Sequence, residues 1–155
     1  MIIKITGEQQ REAAIEMIGS LPLDPVKQIE ITDWKENRSL AQNRLYWKWV
    51  TQYAGEAGLI KEEAHKLFKG ELLIRIYERD NPSYGVLMQS IRKVWKLGEK
   101  DMAKAMHNEI VELTSTVKAD VDQMSEYLDD IDKFCLTHQI YLERPEDMYR
   151  EAMGS

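Results

Sequence analysis

The chain has 155 residues, 43% hydrophobic and 31% charged, with a net charge of −6. That length and composition give one globular domain with its own core, and they exclude a disordered chain and a disulfide scaffold, since Cys135 is the lone cysteine. The acidity argues against a uniformly basic nucleic-acid binder, but the charge is unevenly spread: twelve acidic and four basic side chains from Ala105 onward, against fifteen and seventeen before it.

The apolar start, MIIKIT, is too short for a signal peptide, and no apolar run approaches the roughly 20 residues of a membrane span. MIIKIT reads as a short strand. Thr6 with Gln9 matches a capping box, opening a helix with Ala14, Ile15, Ile18 and Leu21 on one face and Pro22 and Pro25 at its end. Partial alternation from Val26 to Trp34 predicts a second strand. The polar loop Lys35-Glu36-Asn37-Arg38 follows. Ser39 with Gln42 is a second capping box, for a helix from Leu40 to about Ala57 that Gly58 ends. A short helix follows near Lys61–Lys69. LLIRIY at 72–77 is β-rich in composition but ambiguous, and Asn81-Pro82 is a turn.

Tyr84, Leu87, Met88, Ile91 and Trp95 recur at helical spacing up to Gly98, and Met102, Met106, Ile110 and Leu113 mark another helix. Thr114-Ser115-Thr116 interrupts it, because three consecutive hydroxyls compete for backbone hydrogen bonds. Asp120 with Gln123 caps a last long helix. Its stripe of Val121, Met124, Leu128, Ile131 and Cys135, spaced 3, 4, 3, 4, suits packing on another helix, either within the core or in a dimer. Ile140-Tyr141-Leu142 reads as a short extended piece, and Arg144-Pro145 begins the tail. The elements predict an α+β fold, predominantly helical, with a small N-terminal β-sheet.

The most informative stretch is Arg38-Ser39-Leu40-Ala41-Gln42-Asn43-Arg44-Leu45-Tyr46-Trp47. It resembles the RSLxQNxxxW segment of the Orf/NinB family of phage recombination mediators. Thr114-Ser115-Thr116, with Met124-Ser125-Glu126-Tyr127-Leu128 and Phe134 after it, resembles that family's hydroxyl-rich turn and following amphipathic helix. The resemblance implies a single NinB-like domain over residues 1–155, with a remodelled helical section at about 72–113. It implies an intertwined homodimer in the cytoplasm of a bacterial host. Such a protein binds single-stranded DNA without strong sequence preference and assists a recombinase or annealing protein in the presence of single-strand-binding protein. Arg38, Ser39, Gln42, Asn43 and Trp47 are the positions that carry over, with Thr114, Ser115 and Thr116 second. No catalytic residue and no cofactor is implied.

The residues themselves are compatible with that expectation. A basic loop feeding a capped helix N-terminus sets unpaired N–H groups, a positive dipole end and cations together, which suits a phosphate. Lys35 and Arg38 lie on the loop, and Arg44 and Lys48 lie one and two turns into the helix. Tyr46, Trp47 and Trp49 either offer a stacking platform or fill the core. Arg92, Lys93, Lys96, Lys100 and Lys104 form a second basic cluster; Arg92, Lys96 and Lys100 share a helical side if the helix continues through Gly98. That cluster either touches phosphates or is a solvated face. Lys118 stands beside the hydroxyl turn as a further DNA-binding candidate. Val121, Met124, Leu128 and Ile131 are candidates for a dimer interface.

Two other functions are open at this stage. Asp120, Asp122, Glu126, Asp129, Asp130 and Asp132 suggest a Mg²⁺-dependent nuclease acting on recombination intermediates, but neighbours ~100° apart around a helix do not converge on one ion. His65, His107 and His138 form no HExxH motif, so no metal site is expected. The other alternative is a protein–protein adaptor without DNA contact.

Overall fold

The computed structural model describes residues 1–34 and 38–154. Two compact units are present, Met1–Lys35 and Glu36–Ser155. The expected α+β fold is not found: the described residues form an all-α protein, with seven helices and no strand.

In the first unit, helix α1 spans Glu8–Ser20. The expected Thr6–Gln9 box does not form; Gly7, in extended conformation, is the N-cap, and no side chain caps it. The two strand-patterned segments, at 1–6 and 26–34, belong to no sheet. Alternation stabilises a strand only where its N–H and C=O groups find a ladder and one face finds a core. Neither is met here: Ile2, Val26 and Ile31 are 97%, 94% and 91% exposed, and Ala14 is the only buried residue described in this unit. Ile15 and Ile18, expected to face inward, are also exposed. The ammonium of Lys4 sits 3.2 Å above the Trp34 ring, joining the unit's two ends.

The second unit is built around helix α2, Leu40–Ala57. The Ser39–Gln42 box forms as expected, and Gly58 ends the helix at φ 71°, a left-handed position that glycine takes without strain. Helix α3 is one rod made of Lys61–Phe68, a π-turn at Lys69–Leu73 and Ile74–Asp80. LLIRIY is therefore helical; its apolar residues pack at helical spacing, with Leu73, Ile74, Ile76 and Tyr77 buried. Helix α4 is Pro82–Lys96, capped by the Asn81 side chain, and α5 is Lys100–Leu113. Between them Gly98 takes φ 89°. A 3₁₀ turn at Thr116–Lys118 leads to α6, Val121–Thr137, started by the expected Asp120–Gln123 box. The tail after Pro145 is helical too, as α7, Glu146–Met153.

Leu45, Tyr46, Trp49, Val50, Phe68, Met124, Tyr127, Leu128 and Ile131 have no exposed surface. Each fully buried aliphatic side chain contributes roughly 1.5–3 kcal/mol. Tyr53, Phe68 and Phe134, from α2, α3 and α6, pack together with ring centroids 4.9–6.0 Å apart, Phe68 and Phe134 edge to face and Tyr53 tilted against both. Met124, Leu128, Ile131 and Cys135 lie in this core, with Val121 half-buried, so the stripe offered for a dimer is used within one chain. Burial, with Asp132 and Glu56 nearby, pushes the Cys135 thiol up to about 12. Residues 140–142 form no strand. Instead the Gln52 amide grips the segment, donating to the Tyr141 carbonyl at 2.9 Å and accepting from the Glu143 N–H at 2.8 Å. The Trp49 indole donates to the Glu143 carbonyl at 2.7 Å.

The section at 72–113 carries a smaller cluster of its own, Ile74, Met88, Ile91, Ala103 and Val111. It is mainly the α4–α5 hairpin leaning on the second half of α3. Among the described residues no helix is long and apolar enough to cross a membrane.

Candidate nucleic-acid interface

The Arg38–Trp47 stretch and the segment that follows Thr114 meet in space. The Arg38 N–H donates to the Ala119 carbonyl at 3.0 Å, and its guanidinium donates to Thr116 Oγ1 at 3.0 Å. Gln42, fully buried, accepts from the Ser39 N–H to close the cap. It also donates to the Val121 carbonyl and to Ser125 Oγ, at 3.0 and 2.9 Å. Gln42 is thus a structural clasp between α2 and α6, not a group that reaches DNA.

Arg38 is half-buried, and no carboxylate pairs with it among the described residues. Burial lowers its hold on its proton, partly offset by the Tyr46 and Tyr77 hydroxyls. A guanidinium remains charged at neutral pH regardless. Behind it lies a chain of polar rings. Tyr46 OH is 2.5 Å from His65 Nδ1 and 3.2 Å from Tyr127 OH. Burial raises the proton affinity of both phenols, so both are neutral. His65 is held down to about 4, by burial first and then by the charges of Lys69 and Arg38, so it too is neutral at pH 7. Lys69, within the π-turn, is buried and donates to the Thr114 carbonyl at 2.9 Å. It also lacks a carboxylate within ion-pair distance among the described residues. Arg38 and Lys69 both act on His65, against a smaller opposing effect of Glu62, while Glu112 acts on Lys69.

The surface of this cluster is aromatic. Trp47 is 37% exposed; its ring lies 4.9 Å from that of His65, tilted by 33°, and edge-on to Tyr46 at 5.3 Å. Asn43 and Thr51 stand one turn to either side of Trp47, placing the three in a row along α2. Asn43 Oδ1 is buried and accepts no hydrogen bond. A groove of about 440 Å³ beside the row is lined by Trp47, Lys48, Thr51, Gln52 and Glu143.

Other expected residues fare differently. Lys35 lies outside the described residues. Ser39 is half-buried and caps α2. Arg44 pairs with Glu151 at 3.6 Å and Lys48 with Glu143 at 2.9 Å, which weakens both as phosphate ligands. Tyr46 and Trp49 belong to the core, so Trp47 alone of the three aromatics offers a face. Thr114-Ser115-Thr116 points inward: Thr114 and Thr116 are buried, Tyr84 meets Thr114 Oγ1 at 3.1 Å, and Tyr77 donates to the Ser115 carbonyl at 2.6 Å. The turn holds Arg38 in place instead of contacting a ligand directly. Lys118 is exposed. Arg92, Lys96 and Lys100 do not share one helix side, because the turn at Gly98 ends α4, and Arg92 pairs with Glu78 at 2.6 Å.

Sequence reasoning missed His65 and Tyr77 as neighbours of Arg38, and Lys69 and Tyr127 as neighbours of His65 and Tyr46. One signal was present: His65 and Lys69 stand four apart and so share a helix side. Among the described residues no three His, Cys, Asp or Glu side chains are grouped as for a metal ion. Compared with protein-family models, with curated proteins and with solved structures, the chain matches none.

Proposed function

We propose that the chain is a non-catalytic protein that binds single-stranded DNA through the α2 face running from Arg38 past Asn43 to Trp47. The observation that carries this reading is the half-buried Arg38, which has no carboxylate partner among the described residues, together with the exposed Trp47 ring packed on His65. A phosphate supplies the missing counter-charge, and the indole takes a base at ~1–3 kcal/mol per stack. Neither contact reads base identity, which accounts for weak sequence preference. The wider role rests on the resemblance to the Orf/NinB mediators: a homodimer that assists a recombinase or annealing protein on DNA covered by single-strand-binding protein.

Fluorescence anisotropy of a labelled oligothymidylate, titrated at several salt concentrations, tests the interface. Affinity should fall with salt, its logarithmic slope counting phosphate contacts. Replacing Lys35 and Arg38 by alanine should reduce that slope by about 1–2. No binding at low salt, or a slope unchanged by the double substitution in a folded protein, overturns the assignment.

A further inference from the structure

Helix α2 carries two basic side chains, Arg44 and Lys48, and carboxylates of the C-terminal segment meet both. Arg44 pairs with Glu151 at 3.6 Å and Lys48 with Glu143 at 2.9 Å. The partners are far apart in sequence. The pairs form because the segment from Tyr141 onward lies along α2, gripped by Gln52 and Trp49, with α7 packed on the same helix.

This segment is a strap whose backbone is anchored and whose carboxylates are not. Leu142 and Ala152 are buried, and the Tyr149 ring lies 6.3 Å from that of Trp49. The side chains of Glu143 and Glu151, by contrast, are 68% and 63% exposed. The strap's own basic residues are engaged elsewhere, Arg144 with Asp132 and Arg150 with Glu146.

Both pairs flank the row that runs from Arg38 to Trp47. Arg44 stands three residues before Trp47 and so shares its side of the helix. Lys48 and Glu143 line the same groove as the Trp47 ring. A strand stacked on Trp47 therefore meets a carboxylate at the groove, which repels it until the side chain turns aside.

We propose that Glu143 and Glu151 are built-in stand-ins for phosphates: they hold Lys48 and Arg44 while the α2 face is empty, and a bound strand takes over both cations. The inference rests on the DNA-binding reading of α2 and concerns the regulation of that face. Exposed ion pairs are weak enough to be exchanged. An exchange, unlike a new contact, sets one carboxylate free for each cation gained. Cations released from the strand are then partly taken up again, and the salt dependence undercounts the phosphates held.

The test titrates labelled oligothymidylate with the full chain and with its Glu143→Gln, Glu151→Gln variant at several salt concentrations. The variant should bind roughly tenfold more tightly, with a logarithmic salt slope steeper by about 1–2. Asp129→Asn with Glu146→Gln makes the same change in net charge, at pairs with Lys133 and Arg150 that leave α2 untouched, and should move affinity less than about twofold. With Arg44 and Lys48 also replaced by alanine, the gain should vanish. An equal gain from the control pair overturns the proposal, as does a gain that survives loss of both cations. Inorganic polyphosphate, a polyanion without bases, separates the two readings. If the glutamine variant gains on polyphosphate while no variant binds oligothymidylate, the carboxylates guard α2 as proposed and the DNA reading fails. If parent and variant bind oligothymidylate alike and polyphosphate alike, the DNA reading stands and the exchange of carboxylate for phosphate is overturned.

Discussion

The second unit contains two regions built on opposite terms. Around α2, polar groups are taken inside and bonded across long stretches of sequence: Arg38 to Thr116, Gln42 to Val121, Tyr46 to Tyr127. In the α4–α5 hairpin the core is five apolar side chains from neighbouring elements, and Met88 and Ile91 each remain 8% exposed. Long-range polar clasps make the first region rigid and specify one arrangement, since a half-satisfied network costs more than an apolar core. The hairpin rests on local, shallow burial, the kind of region that opens most easily and that often carries binding surfaces.

Removing a central side chain from each region would break or sharpen that contrast most strongly. Trp49→Ala should cost ~3–5 kcal/mol, combining a cavity with a lost bond to the Glu143 carbonyl, while Ile91→Ala should cost ~2 kcal/mol. Urea denaturation measures both; equal losses would abolish the distinction. The polar clasps come next. Gln42→Ala leaves the Ser39 N–H without its acceptor and removes the bonds to the Val121 carbonyl and Ser125 Oγ, and should cost ~2–3 kcal/mol. Asn81→Ala removes only the cap of α4, for ~1 kcal/mol. Thermal melts of the two variants, compared with the parent, decide whether the larger penalty belongs to α2.

The smallest effect is set by pH. His65 is held at about 4 in the folded chain, below the usual 6.5, so the unfolded chain takes up the proton first as pH falls. Stability from this group is complete above pH 6.5 and is lost between 6.5 and 4. With the ring half-buried, a loss on the order of 1 kcal/mol by pH 5 is expected. Melting temperature against pH should slope less steeply in His65→Gln; an identical slope would mean that the histidine does not titrate with unfolding.

What sequence could disclose divides along the same physical line. The Ser39–Gln42 and Asp120–Gln123 boxes and the stop at Gly58 were legible because each is settled within a few residues. Thr6–Gln9 has the same spelling, but Gly7 takes the cap and the helix starts past Thr6. The alternation in residues 26–34 was legible as a pattern and misleading as a strand, because a ladder depends on a partner that the pattern cannot name. In the candidate site, Arg38, Asn43 and Trp47 were identified from their stretch of chain. That Gln42 and Thr116 serve to hold Arg38 and α2, and that His65 and Lys69 complete the cluster, depends on how α2, α3 and α6 assemble.

Cys135 has a practical corollary. Its sulfur is sealed in the core and kept protonated, so neither condition for attack on an electrophile is met at neutral pH. The folded chain is chemically silent toward maleimides. A Thr51→Cys or Asn108→Cys variant therefore carries one reactive handle, and a dye or spin label reports from the α2 groove or from the hairpin without the native thiol being removed.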